Sequence, residues 1–183
     1  MPKIIIALAG PIASGKEAVK KYLEEKYGAS SYKFSNPLRD VLKRLHLPIS
    51  RENIQDISTW LRARFGNDLL ATIITADAID DAGEIVIIDG ARRLQDVAHL
   101  RALPEFKLVG VDADIKTRYE RVVKRNENEG DAEKTFEQFL IDSDKETEKD
   151  IPNVLAAADY LIDNNGDFAN LYQQVDKLIT DLK

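Results

Sequence analysis

A three-layer α/β fold, with helices covering both faces of a parallel sheet, is what this sequence predicts, and two observations carry the prediction. Short apolar segments alternate along the chain with longer segments of helical periodicity, the order expected of parallel strands joined by crossover helices. The first of them, Lys3 to Ala9, places Ile4, Ile5 and Ile6 in succession, a run that suits a strand buried on both faces. Gly10 ends it. From Lys16 onward Val19, Tyr22, Leu23 and Tyr27 fall at helical spacing, and Gly28 stands where a helix usually stops. The opening therefore reads strand, glycine-bearing loop, helix.

Later elements obey the same rules. A short strand is predicted around Tyr32 to Phe34, and Asn36-Pro37 supplies a cap and first-turn pair for a helix over Leu38 to Leu45. Two further helices extend through Ile79. Glu84 to Ile88 reads as a second buried strand closed by Asp89-Gly90, and Leu94, Val97, Ala98 and Arg101 suggest a helix after it. Leu108 to Val111 makes a third strand, and Asp114 can cap a helix running to Arg125. Asn126 to Asp150 is acid-rich, with ten acidic and three basic residues. Tyr160 to Ile162 is a final strand, followed by the turn Asp163-Asn164-Asn165-Gly166 and an amphipathic helix over Leu171 to Leu182. With no internal repeat or low-complexity linker, residues 1–183 are expected to form one domain.

Composition excludes several classes of protein. The chain holds 26 Lys+Arg against 32 Asp+Glu, and a net charge of -6 argues against general nucleic-acid binding. The absence of cysteine removes disulfides, thiolate metal centres and a cysteine nucleophile, while two histidines leave little for an imidazole cluster. No apolar stretch approaches the ~20 residues of a membrane helix, and none resembles a signal peptide. A soluble, cytoplasmic protein is expected. Its charge is uneven: residues 1–65 carry twelve basic and six acidic side chains, residues 66–183 fourteen and twenty-six. An anionic small molecule suits the first third better than the rest.

Gly10-Pro11-Ile12-Ala13-Ser14-Gly15-Lys16 matches the phosphate-loop pattern of Gly, four residues, Gly, Lys, in the required setting between a buried strand and a helix. Its two glycines let the backbone curl so that amides from Gly10 to Gly15, those of Ile12, Ala13 and Ser14 among them, point at phosphate oxygens. The helix dipole and the Lys16 ammonium add positive charge. Where the pattern normally ends in a Ser or Thr that ligates Mg²⁺, Glu17 follows instead. Glu17 either holds the metal through water or is a solvent-facing first-turn acid favoured by the dipole.

Joined to Ile87-Ile88-Asp89-Gly90-Ala91-Arg92-Arg93, this loop resembles that of the small P-loop kinases of nucleoside monophosphates and their relatives. The Asp-Gly-x-x-Arg stretch of adenylate kinases is met through Arg93, and the Asp-Gly-x-Arg of archaeal adenylate-kinase-related and phage-type deoxynucleotide kinases through Arg92. Leu61-Arg62-Ala63-Arg64-Phe65-Gly66-Asn67 is similar to the latter group, and Ala158 to Gly166 to the tail of dephospho-coenzyme A kinases. The resemblance implies a P-loop NTPase fold that binds ATP with Mg²⁺. It further implies a helical acceptor-binding arm at about residues 35–75 and a lid at about residues 118–145.

Phosphoryl transfer spreads charge over oxygens, so positioned cations matter most. In similar kinases arm arginines hold the acceptor phosphate, a role for Arg39 and Arg62 unless they merely face solvent; Arg64 reads as surface. Asp89, at the carboxyl edge of the sheet, is placed to order Mg²⁺ or orient the acceptor, or else to cap a turn. One of Arg92 and Arg93 should face the transferring phosphate. Arg118, Arg121 and Arg125 share a helical face, where arginines of the resembling enzymes close over ATP, and Arg118 and Arg125 are the catalytic candidates. Asn164 and Asn165 border the adenine in similar kinases, or form an Asn-Gly turn. Trp60 and the apolar residues of the arm read as core, and His46, His99, Asp112 and Asp114 are given no chemistry.

The expected activity is transfer of the γ-phosphoryl group of Mg·ATP to a nucleoside or deoxynucleoside monophosphate, with small nucleotides as partners and neither nucleic acid nor membrane. The alternatives are a dephospho-coenzyme A kinase, favoured by the tail, and a nucleotide-binding switch with little turnover, favoured by Glu17 and the acidic lid.

Overall fold

Five strands form one parallel sheet in the order β2-β3-β1-β4-β5, with β1 (Ile4–Ala9) at its centre. The computed structural model describes residues 4–125, 131–144 and 149–183. Beside β1 lie β3 (Ile85–Ala91) and β4 (Phe106–Asp112), and the edges are β2 (Ser30–Lys33) and β5 (Tyr160–Asp163). Helix α1 (Lys16–Tyr27) connects β1 to β2, then α2 (Asn36–Arg44), α3 (Arg51–Phe65) and α4 (Leu69–Asp80) connect β2 to β3, and α5 (Ile115–Arg125), α6 (Phe136–Ser143) and α7 (Ile151–Ala156) connect β4 to β5, while β3 reaches β4 through 3₁₀ turns. Helix α8 (Phe168–Leu182) closes the chain.

Alternation along β1 builds two cores. Ile4, Ile6 and Leu8 pack with Val19 and Leu23 of α1 and with Leu171 and Val175 of α8. Ile5, Ala7 and Ala9 face the other way, against Ile74 and Ala78 of α4, Val97, Leu100 and Val154. Every residue of β1 is at most 3% exposed. At ~1.5–3 kcal/mol for each large apolar side chain buried, this strand anchors whatever follows it.

Several details differ from expectation. Strand β2 lies two residues earlier than Tyr32 to Phe34, and the segment after Asp89 forms two 3₁₀ turns, Leu94–Val97 and Leu100–Ala102, not one helix. The Asp96 carboxylate accepts the amides of Arg92 and Arg93 at 3.0 Å each, which fixes a tight turn, and Pro104 prevents further winding. Helices α6 and α7 emerge from the acid-rich segment. There Thr135 and Gln138 form a capping box, and Phe139 is fully buried. Trp60 is not core: it is 62% exposed, because α3 packs chiefly on α2 and α4 and buries none of its residues. Of the segment expected as a lid, residues 126–130 and Lys145 lie outside the described residues, as does Lys3 of the first predicted strand.

Candidate functional site

Where β1 and β3 end, at the carboxyl edge of the sheet, a crevice of about 1080 Å³ opens. Ligands of open parallel sheets bind at this edge. Its floor is the loop from Gly10 to Lys16. Gly10 adopts φ +155° and Gly15 φ +107°, conformations that side-chain-bearing residues rarely take. A Cβ at Gly10 would collide with the Val111 carbonyl, and one at Gly15 with the Asn164 amide. The first bonds of α1 run from Ala18 and Val19 to the Gly15 carbonyl, so the positive end of this helix meets the crevice. Lys16 folds back over the loop, donating to the Gly10 carbonyl at 2.6 Å and the Pro11 carbonyl at 2.9 Å. Among the described residues the buried Ser14 hydroxyl finds no hydrogen-bond partner.

Glu17 and Asp89 are joined by lysines. The buried Lys20 ammonium pairs with Glu17 and lies 3.5 Å from Asp89, while Lys33, ending β2, stands 3.3 Å from Asp89 and 3.9 Å from Glu17. Burial pulls the Lys20 ammonium towards a lower pKa, but the Glu17 and Asp89 carboxylates outweigh it and hold it above the ordinary lysine range. The four charges form a closed ring of alternating sign.

Arginines divide into three groups. Arg92, Arg121 and Arg125 line the crevice together with Lys124. Arg121 donates to the Asn164 carbonyl at 2.7 Å and the Ser14 carbonyl at 3.5 Å, and burial lowers its pKa. Burial first, then the charge of Arg93, lowers the Arg62 pKa, while Asp96 opposes the shift. Arg93 also meets Asp96 at 3.4 Å, and Arg62 donates to the Asn67 carbonyl at 3.4 Å. Arg39 is exposed on α2 and lines no part of the crevice.

Arg118 departs from expectation. Only 9% exposed, it donates to the Ala113 carbonyl at 3.0 Å and the Ile12 carbonyl at 3.3 Å, with its guanidinium 5.7 Å from the Phe139 ring centre. It braces the loop from behind and does not line the crevice. Asn164 lines the crevice, yet its amide is spent on the Ser14 carbonyl at 2.7 Å. Asn165 lies outside the lining, donating to Asp163 at 2.6 Å and accepting the Asp114 amide at 2.8 Å. Neither side chain is arranged to read a base edge.

A sequence profile for an AAA domain matches residues 6–149. A UPF0200 protein of Staphylothermus marinus is 31% identical over 173 residues, covering 94% of this chain and 89% of that one. This chain belongs to the UPF0200 family. A second relative, from Thermococcus kodakarensis, is 29% identical over 98% of both chains. Among solved structures, a shikimate kinase from Bacteroides thetaiotaomicron superposes with a TM-score of 0.62 at 15% identity, over 98% of each chain. An uncharacterized protein from Eubacterium ventriosum gives 0.63 at 19%, also over 98% of each. The UPF0200 chain thus has the α/β fold of the P-loop kinases.

Kinases of this fold generally use ATP with Mg²⁺. In this UPF0200 chain the donor set does not fit a directly bound divalent ion as it stands. The ligating hydroxyl is replaced by a carboxylate, and the carboxylates of Glu17 and Asp89, on that side of the loop, are both held by ammonium groups. Among the described residues no group of three or more His, Cys, Asp or Glu side chains gathers as a metal site. Lys20, Lys33 and Lys124 were not legible as site residues, since no motif marks them. Arg121 could have been found, because its spacing from Arg118 and Arg125 puts all three on one helical face.

Proposed function

We propose that this protein is a kinase that transfers the γ-phosphoryl group of ATP to a nucleoside or deoxynucleoside monophosphate. One observation carries the reading: the phosphate loop with Lys16 shares a crevice with Arg92, Arg121 and Arg125, and on the arm side the charge of Arg93 reaches Arg62. Two anionic groups are thereby provided for, a donor polyphosphate at the loop and an acceptor phosphate at Arg62 and Arg93.

In the reaction an oxygen of the acceptor phosphate attacks the γ-phosphorus while the bond from that phosphorus to the β–γ bridging oxygen breaks. The products are ADP and a nucleoside diphosphate. Lys16 would exchange its two loop carbonyls for β and γ oxygens, and Arg92, Arg121 and Arg125 would meet charge spreading over the transferred group. Arg62, its charge disfavoured by burial and then by Arg93, gains a counter-anion when the acceptor binds.

A coupled ADP-release assay with ATP and a panel of ribo- and deoxynucleoside monophosphates, with dephospho-coenzyme A beside them, tests this. Turnover dependent on a monophosphate is expected. Turnover only with dephospho-coenzyme A would transfer the assignment to that acceptor, and nucleotide binding without acceptor-dependent turnover would leave a nucleotide-binding switch.

A further inference from the structure

The ring of Glu17, Lys20, Asp89 and Lys33 occupies the side of the phosphate loop where kinases of this fold place their divalent ion. Its charges cancel, two carboxylates against two ammonium groups. Lys20 is 6% exposed and bridges both carboxylates, so an ion settling between them would have to displace a buried ammonium and then share the space with it. Lys33 differs, being about half exposed at its side chain and part of the crevice wall, where a phosphate oxygen can reach it.

We propose that Lys20 holds the two carboxylates that would otherwise ligate a metal while Lys33 offers part of its charge to the phosphates, so that the crevice binds a nucleoside polyphosphate as the free anion. Lys20 fixes Glu17 and Asp89 against the helix and strand that carry them. Lys33, tied only at the rim, turns part of its charge to the ligand. The Glu17 carboxylate, which would repel a phosphate on its own, is screened by both lysines.

This inference rests on the nucleotide-binding reading of the crevice, and the two can fail separately. Calorimetric titration of ADP into the protein is run once with EDTA and once with saturating Mg²⁺. Dissociation constants within about threefold of one another are expected, whereas tightening of about tenfold or more by Mg²⁺ would overturn the inference and leave nucleotide binding intact. No binding under either condition overturns both. Two variants extend the test. Lys33→Met should weaken metal-free ADP binding by about tenfold, the loss of one charge-assisted contact. Glu17→Ser, at an exposed position, restores the hydroxyl and releases Lys20, so a marked tightening by Mg²⁺ should appear. An unaltered metal response in Glu17→Ser, or unaltered metal-free affinity in Lys33→Met, contradicts the assignment.

Discussion

The side-chain amide of Asn164 donates to the main-chain carbonyl of Ser14 across 2.7 Å, a bond between residues 150 apart in the chain. It ties the loop after β5 to the phosphate loop and leaves the amide packed against Gly15. Asn164→Ala should therefore lower the unfolding free energy by about 1–3 kcal/mol, since the Ser14 carbonyl loses its short hydrogen bond and keeps the 3.5 Å contact from Arg121. Gly15→Ala carries two penalties, the collision with this amide and the positive φ. Urea denaturation of both single variants and the double variant should give a smaller cost for Gly15→Ala once Asn164 is truncated. Strictly additive costs would refute the contact.

Ser14→Ala should behave differently. Its hydroxyl is 0% exposed and has no hydrogen-bond partner among the described residues, so removing it relieves an unsatisfied group. Thermal unfolding is expected at the same temperature or slightly above, with unchanged ADP affinity. A fall in stability of more than about 1 kcal/mol would show that the hydroxyl is bonded in solution.

Acceptor and donor contacts should separate kinetically. Arg62→Ala and Arg93→Ala are each expected to raise KM for the monophosphate by about tenfold or more, leaving KM for ATP nearly unchanged. Lys16→Ala should instead abolish donor binding without unfolding the chain, because its ammonium lies over the loop, donating to the Gly10 and Pro11 carbonyls at the surface of the crevice. A rise in KM for ATP in the arm variants would move Arg62 and Arg93 to the donor side.

Acid stability should depend on Asp81. Its carboxylate accepts the Tyr32 hydroxyl at 2.7 Å, the Gly83 amide at 2.6 Å and the Ser30 hydroxyl at 3.2 Å, and these bonds, the tyrosine's foremost, hold its pKa below the ordinary carboxylate value. A depressed carboxyl stabilises the fold above its unfolded pKa of about 3.9 and loses that contribution as pH falls through the folded value. The partner phenol, bound to Asp81 and partly buried, is pushed up to about 12, so its contribution is whole below the ordinary tyrosine value of about 10 and is lost as pH rises from there through about 12. Asp81→Asn should flatten the loss of stability below about pH 4. An acid limb identical to that of the unaltered protein would exclude the carboxylate.

The phosphate loop was legible because it is local: two glycines, a lysine, a buried strand before and a helix after lie within a single short stretch. Asp89 was legible for the same reason, ending an apolar strand. The lysine ring was not, because Lys20, Lys33 and Asp89 meet only once β2 and β3 are neighbours and α1 lies across them, an order that no single segment encodes. Helical spacing put Arg118, Arg121 and Arg125 on one face, but the packing of α5 decided the outcome, turning Arg118 onto the Ile12 carbonyl and Arg121 into the crevice. Trp60 misled because an indole at helical spacing normally marks a core face. A helix that packs chiefly on two others and buries none of its residues leaves its indole to solvent.

That uncovered indole has a practical corollary. Trp60 is the chain's one tryptophan, set edge-on to Phe65 with ring centres 6.1 Å apart on α3. Emission excited at the red edge of its absorption originates from this helix alone. Any displacement of α3 during a catalytic cycle can be followed through quenching or anisotropy in unlabelled protein.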